Sequence, residues 1–479
     1  MMNLLMTTVT ELEQYRQRQY DAFMQHSMPT VEERITNLKI LKQLITQHQV
    51  QICQAITADF GCRSTTETAL LEIFTSLESI NGAIKDVKAW MKPQHRHTSL
   101  WFKPARNSVI PQPLGVVGII VPWNYPLFLT IAPMVAALAA GNRVMVKMSE
   151  NSQHLCQLLQ QLFAHDFSAE QIYIVAEEGE TGIAFSQLAF DHLIFTGSTT
   201  TGKAVMAAAA THLVPVTLEL GGKSPVILAD DYDVHLALSR ILGGKMYNSG
   251  QTCVAPDYLL VPQALESEVI RQSQAIMAQR FTDILHPDYT SIIDDLSFSR
   301  LCDTVENAVE LGAKVINLIP KSAADPQQRK FPLQLICQPT DVMTVMQREI
   351  FGPLLPIITY KNIQQAVDYI NARERPLALY LFSNDKTVQQ QVINQTRSGG
   401  VTINDVMLHV AQDDLPFGGI GHSGMGHYHG RDGFERLSKL RPITYQAALS
   451  TTKYFYAPYS KIGKRLINFI INRKLSRYK

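Results

Sequence analysis

The stretch GVVGIIVPWNYPLFLTIAPMVAALAAGNRVMVKMSE, residues 115–150, decides how this chain is read. Val116 to Val121 is an apolar run of strand length, rich in β-branched residues, so a buried strand is expected there. A PWNYP turn follows, then an alanine-rich stretch of helical length ending at Ala140, then a second strand over Val144 to Lys147. No charge occurs from Asn107 to Asn142, and hydropathy alone would suggest a membrane span. Pro111, Pro113, Pro122, Pro126 and Pro133 interrupt it, and no clean apolar run reaches the ~20 residues that a spanning helix needs. Buried strand, loop, buried helix and strand is the better reading.

Working outward, the alternation continues. Ser149 or Asn151 is expected to cap the next helix. Strands are expected at Ile172–Val175, Leu193–Phe195 and Val216–Leu220, with a helix over Lys203–Ala210 before the last of them. Strand and helix alternating at this spacing predict an α/β fold with a parallel, doubly wound sheet covered on both faces. Ligands bind such sheets beyond the carboxyl ends of the strands, so the polar and glycine residues there are the candidates for chemistry. Upstream, the first hundred residues read as helical. Thr30 with Glu33 forms a capping box, and Ile35, Leu38, Leu41 and Ile45 recur at helical spacing. Residues 94–113 turn basic, aromatic and proline-containing, as in an extended excursion. A second α/β region begins after Gly221 and runs to about Gly430, and Lys453 to Lys479 is basic with no acid.

At 479 residues the chain exceeds the size at which one core stops growing, so two large lobes are expected. Lys and Arg number 43 against 42 Asp and Glu, which gives no electrostatic reason to expect nucleic acid as a partner. Six scattered cysteines without a CxxC pair fit a reducing compartment better than a disulfide framework. The N-terminus has Glu11 and Glu13 where a signal peptide would be basic and then apolar, so none is expected. A cytoplasmic location follows.

FTGSTTTGK, residues 195–203, follows a strand and opens a helix, where backbone N–H groups suit a phosphate or pyrophosphate. It nearly spells a P-loop, but Ala204 stands where that motif needs a hydroxyl for magnesium. Glu219 ends a strand beside two glycines, and Cys253 lies in the polar loop Asn248-Ser-Gly-Gln-Thr-Cys253. A cysteine is most often a small buried hydrophobe; thiolate chemistry requires a base and hydrogen-bond donors nearby. His422, His427 and His429 invite a metal reading, but their glycine-rich context favours a mobile or surface loop, and no metal site is expected. Asp405 and His409 are candidates for a substrate channel, with a satisfied buried histidine as the simpler reading.

Seven motifs stand in order: PWNYP (122–126), VKMSE (146–150), FTGSTTTG (195–202), LELGGKSP (218–225), GQTC (250–253), EIFGP (349–353) and PFGG (416–419). Together they resemble the aldehyde dehydrogenase superfamily. EIFGPLLP, SGMGHYHG and the compact length look like its class 3 branch, and PQPLGVVGIIVPWNYPL and LHVAQDDLPFGGIGHSGMGHYHG are similar to the bacterial coniferyl aldehyde dehydrogenases. The resemblance implies an NAD-dependent oxidation of an aldehyde, with NADP possible, through a thiohemiacetal and then a thioester on Cys253. Asn124 matches the side-chain donor to the oxyanion, with the Cys253 N–H as the other. Glu219 matches the general base that activates water. Lys147 and Glu150 match the residues that grip the adenosine ribose; Gly197, Ser198 and Gly202 match the pyrophosphate turn. Glu349 matches the carboxylate on the nicotinamide ribose, with Phe351 beside it or simply packed.

The resemblance also implies a Rossmann-type NAD(P)-binding domain (1–93 and 114–220), a catalytic domain (221–430), and a small oligomerisation element (94–113 and 431–450). The implied partner is a second copy of the chain in a homodimer, and the implied substrate is an aromatic aldehyde such as coniferyl aldehyde, with medium-chain aliphatic aldehydes next. Three departures stand out. Met148 replaces a common proline and is expected to loosen the turn; residues 176–179 bring Glu177 and Glu178 near an expected phosphate; Arg348 replaces a frequent acid. A relative passing its acyl group to coenzyme A or phosphate would not need Glu219. A non-catalytic descendant is expected to have lost Cys253, Glu219 or Asn124. The tail, 451–479, is basic and amphipathic if helical, with Ile462, Leu466, Phe469 and Ile470 on one face. Such a helix suits an anionic membrane surface or packs on the protein itself.

Overall fold

In the computed structural model, residues 9–175 and 181–475 are described; Glu177, Glu178 and the last residues of the basic tail lie outside them. Five parallel strands form the first sheet, in the order Val216–Leu220, His192–Gly197, Val116–Ile120, Arg143–Lys147, Ile172–Val175. The chain winds from Val116–Ile120 outward in one direction and then returns to its other side. The switch point therefore lies between the carboxyl ends of Val116–Ile120 and His192–Gly197, where such sheets bind ligands. Helix Phe128–Ala140 is buried at every residue, so the uncharged stretch is core and not a membrane span. Among the described residues no helix is long and apolar enough to cross a membrane.

The second sheet has seven strands, in the order Lys314–Asn317, Gln334–Cys337, Leu354–Tyr360, Tyr258–Pro262, Pro225–Leu228, Ala378–Phe382, Gly400–Ile403, with only the first antiparallel. The two sheets are joined through a short edge. Gly424–Met425 returns from the second region and pairs antiparallel with Leu218 and Glu219. A third, three-stranded antiparallel sheet pairs Arg106–Pro113 with Gln94–Arg96 on one side and Ser438–Tyr445 on the other.

Local signals hold where they were specific. Thr30 and Glu33 form the capping box; Ser149 caps only the short turn Glu150–Ser152, its hydroxyl accepting from Asn151 N, while the N-cap of helix Gln153–Asp166 is Ser152, in place of the expected Ser149 or Asn151. Met148 corrects its expectation. It is fully buried, its N–H donates to Val175 O at 3.0 Å, and its sulfur accepts from the Thr130 hydroxyl at 3.4 Å. A proline has no N–H to give, so methionine adds a hydrogen bond here and fixes the turn.

The tail forms helix Lys461–Leu475. Phe469 meets Trp101 edge-on at 6.4 Å, yet Ile462 stays 63 % exposed and Phe469 56 %. The chain's own body covers the apolar stripe only in part.

Candidate active site

The carboxyl ends of the first sheet face the amino ends of the second. Asn124 follows Val116–Ile120, Glu219 lies near the end of Val216–Leu220, Cys253 precedes Tyr258–Pro262, and Glu349 precedes Leu354–Tyr360. Residues spread over some 225 positions of sequence are thus gathered at one junction.

The loop carrying Cys253 is strained and heavily tied down. Asn248, Ser249 and Gly250 take φ of 51°, 52° and 76° in succession. Left-handed non-glycine residues cost roughly 1–3 kcal/mol each and persist only where the surroundings over-determine them. Here the Ser249 hydroxyl donates to Thr290 O at 2.5 Å. The Gln251 amide donates to Asn248 O at 2.9 Å and Ser291 O at 3.0 Å, while its carbonyl accepts from Ile293 N at 3.0 Å. Asn248 Nδ2 donates to Asn124 O at 3.0 Å and Gln251 O at 3.1 Å. At Gly250 only glycine fits, because a Cβ would lie 2.4 Å from Gly352 O.

Asn124 is bound into the same loop: its Nδ2 donates to Gln251 O at 3.2 Å, and the neighbouring Tyr125 hydroxyl meets Thr252 Oγ1 at 2.8 Å. An amide nitrogen carries two N–H groups, so Asn124 retains one for a further acceptor. Cys253 is half-buried as a residue, and all six cysteines are free thiols. Loss of hydration pushes its pKa up to about 12, aided by the Glu349 and Glu219 carboxylates, while the backbone N–H groups of Cys253 and Val254 oppose the rise. A thiol this suppressed needs a proton acceptor before it reacts.

Glu219 is deeply buried, and burial raises its pKa well above the ordinary carboxylate value. The Gly419 N–H faces it without reaching hydrogen-bond geometry, and neither carboxylate oxygen has a hydrogen-bond partner among the described residues. Gly418 makes the room: a Cβ there would stand 3.1 Å from Glu219 Oε1. Glu349 is pushed up to about 8, chiefly by desolvation and then by Asp257. Its carboxylate lies so close to Gly221 that a Cβ there is excluded, and Oε1 is buried with no hydrogen-bond partner among the described residues. Phe351 has φ 48° and packs edge-on to Trp123 at 5.4 Å, with Arg300 donating to Ile350 O and Phe351 O. Its ring contact next to Asn124 and its strained backbone both place it at this junction.

The remaining sequence candidates line the switch point. Lys147 ends its strand and is buried; Glu150 follows in a short turn and is exposed. Gly197 ends the neighbouring strand. Ser198 caps helix Thr199–Ala210, its hydroxyl accepting from Thr201 N at 3.1 Å. Gly202 lets that helix close on the sheet, since a Cβ would stand 2.6 Å from Leu220 Cδ2. Helix N–H groups, a cap hydroxyl and glycines at a switch point fit the pyrophosphate of a dinucleotide.

The histidine expectation needs correction. His429 lies in no solvated loop: it is buried, stacked on Phe417 at 5.2 Å and edge-on to Phe128 at 6.0 Å, and desolvation pulls its pKa down to about 4. The aromatic neighbours Phe417 and Phe128 give the ring an apolar place to go, which a glycine-rich sequence context does not reveal. His422 pairs with Glu374 and His427 lies 3.9 Å from Asp432. Among the described residues no group of three or more His, Cys, Asp or Glu is placed to hold a metal. His409 is satisfied at one nitrogen only: Nδ1 meets Thr402 Oγ1 at 2.8 Å, while Nε2 is buried with no hydrogen-bond partner among the described residues. Two buried tyrosines were missed. Tyr380 donates to Val254 O at 2.5 Å, and Tyr428 lies near enough to Glu219 and Cys253 for both to raise its pKa. Neither sits in a motif with a recognisable spacing.

Comparison with known proteins bears on the family and the fold. A family model described as the aldehyde dehydrogenase family matches residues 3–443. A probable coniferyl aldehyde dehydrogenase of Pseudomonas aeruginosa is 48 % identical over 96 % of each chain. A dimeric NADP-preferring aldehyde dehydrogenase of Rattus norvegicus is 38 % identical over 90 % of this chain and 94 % of its own. The substrate-bound structure of Staphylococcus aureus AldH superposes with a TM-score of 0.90 at 34 % identity, covering 98 % of this chain and 100 % of that one.

Proposed function

Because the chain belongs to the aldehyde dehydrogenase family, we propose that it oxidises an aromatic aldehyde, coniferyl aldehyde foremost and medium-chain aliphatic aldehydes next, to the acid with NAD(P)+ and water. Oxidation of an aldehyde to an acid is the family's reaction, and the chain is an oxidoreductase of that kind. The observation that carries the mechanism is the convergence of Cys253, Glu219, Glu349 and Asn124 at one junction.

In this reading Cys253 first loses its proton to solvent and adds to the aldehyde carbon as the thiolate, and the oxyanion of the thiohemiacetal is held by the second Asn124 N–H and the Cys253 backbone N–H. The bound nicotinamide supplies the hydride acceptor. A thioester then remains on Cys253, and Glu219 takes a proton from the water that cleaves it. A carboxylate without hydrogen-bond partners among the described residues and with a raised pKa is suited to that task. Lys147 and Glu150 would hold the adenosine ribose, Gly197, Ser198 and Gly202 the pyrophosphate, and Glu349 with Phe351 the nicotinamide ribose. The Glu349 oxygen that lacks a hydrogen-bond partner fits a ribose hydroxyl. Acyl transfer to coenzyme A would leave Glu219 without a task.

A turnover screen over aromatic and aliphatic aldehydes, each with NAD and NADP, tests this reading by the appearance of reduced nicotinamide. Aromatic aldehydes should give the highest kcat/KM. NAD should be preferred with some turnover of NADP, because Glu150 accepts from two ribose hydroxyls and repels a 2′-phosphate. Replacing that charge, in Glu150→Gln, should shift the ratio toward NADP by about 5–10-fold. A wild-type preference for NADP would mean that Glu150 points elsewhere, and faster aliphatic turnover would displace the aromatic assignment.

The proposed domain limits are supported by the three sheets except at Gly424–Met425, which belongs to the 221–430 region but pairs into the first sheet, and 94–113 with 431–450 are proposed as the element of a homodimer in the cytoplasm. The tail is proposed to rest on an anionic bilayer. Its helix carries Lys461, Lys464, Arg465, Arg473 and Lys474, no acid occurs after Arg436, and Leu100 and Phe102 are exposed in the loop carrying Trp101. Each basic residue near such a surface adds about 1 kcal/mol of attraction. The full chain should co-sediment with phosphatidylserine vesicles, and a chain ending at Ser460 should not. Equal binding by both would end the idea and leave the stripe to a dimer partner.

A further inference from the structure

Three charged side chains outside all seven motifs are buried behind the thiol loop. Arg63 and Glu72 have no exposed side-chain surface, and Glu67 has 9 %. Each ends on the backbone of a different catalytic part. Arg63 Nη1 donates to Asn124 O at 2.9 Å. Glu72 Oε2 accepts from Leu127 N at 2.7 Å and Phe128 N at 3.2 Å, at the start of the helix that follows Asn124. Glu67 Oε1 accepts from Asn248 N at 2.6 Å, at the first of the left-handed residues. The three are coupled: Arg63 pairs with Glu72 at 3.0 Å, approaches Glu67 at 4.0 Å, and lies 4.8 Å from the ring centres of both Phe60 and Tyr125.

The backbone is bent to make this possible. In an α-helix, residues five apart point about 140° away from each other. Helix Thr65–Thr68 instead runs into a π-helical turn, Ala69–Phe74, whose wider period swings Glu72 toward the side of Glu67. Such turns are costly and recur at functional sites. A buried ion cluster is also a poor device for stability alone, since apolar residues of similar volume usually do as well or better.

We propose that Arg63, Glu67 and Glu72 form a positioning unit that sets the oxyanion donor Asn124 and the Cys253 loop against each other. Asn124 lies in the turn after a strand of the first sheet and Asn248 in the loop before a strand of the second, and both are reached by one ionic group. Arg63 aligns the peptide of Asn124, and Glu72 fixes the turn that follows it. Glu67 holds the Asn248 amide, from which Asn248 Nδ2 reaches back to the same Asn124 carbonyl. Their action on the chemistry is through Asn124, so the inference rests on the oxyanion role proposed above.

A double-mutant cycle on the full chain tests it, read as the first-turnover burst of reduced cofactor at saturating aldehyde. Asn124→Ala should slow the burst about 10²–10³-fold; no effect would remove the oxyanion reading itself. Arg63→Met should slow it about 10–100-fold with cofactor affinity within about twofold. In the Asn124→Ala background, Arg63→Met should add less than about threefold, because the group it positions is already gone. Glu72→Gln keeps shape and removes charge, and should show the same loss of additivity in a smaller effect. Multiplicative effects in both cycles, or a lowered Tm with an unchanged burst, would overturn the proposal and leave the cluster as packing.

Discussion

Cys253→Ala is expected to lower kcat by at least ~10³-fold while leaving cofactor binding nearly intact. A covalent nucleophile cannot be replaced by better binding, because its removal deletes the path on which the thioester lies. None of the other thiols is placed to substitute. Cys53 and Cys156 lie in helices, Cys302 lies in helix Asp295–Glu310, Cys337 lies in a strand of the second sheet, and Cys62 faces the Pro287 and Tyr289 carbonyls. Only Cys253 faces both the Glu349 and Glu219 carboxylates and lies in the loop to which the Asn124 side chain is bound. The Cys253 loop is fixed by Ser249, Gln251 and Asn248 rather than by the thiol, so the variant should fold normally. Steady-state turnover and cofactor titration by fluorescence check both halves. Normal turnover in the variant would sink the thioester mechanism.

Much of the first sheet was legible because each strand is a short apolar run with nothing else to be. Ile172–Val175 and Val216–Leu220 appear with the bounds their composition suggests, and His192–Gly197 exceeds its apolar core by a residue or two at each end. The strand Gly424–Met425 was not legible, since two residues, one a glycine, carry no alternation to detect. The motifs located Cys253, Glu219, Asn124 and Glu349 but not their electrostatics, which come from burial by distant segments. Arg63 was invisible for a different reason. Glu67 stands at an ordinary i,i+4 distance from it, but Glu72, five residues beyond Glu67, would point away on an α-helix, and the π turn Ala69–Phe74 is what brings it to the same side. Met148 and His429 show the same limit from the side of packing: both were read from local context, and both are decided by what lies against them.

Glu219→Gln is expected to separate the two halves of the reaction. Glutamine keeps the volume of the side chain beside Gly418 and Gly419, so the strand and its pairing with Gly424 should survive. It cannot take a proton from water, so acylation should still give a stoichiometric burst of reduced cofactor, followed by a steady rate lower by about 10²–10⁴-fold, the usual range for a lost general base. The pH profile carries the same signature. Burial raises the Glu219 pKa well above the ordinary carboxylate value. Its base form therefore gains population as pH rises, and wild-type deacylation should climb in the same direction. Glutamine has no such titration, so the variant's residual deacylation should lose that climb. Trapped acyl-enzyme, detected as an added acyl mass on the peptide carrying Cys253, completes the check. If burst and steady rate fall together, Glu219 acts on the thiol before acylation, and the water-activating role passes to another group.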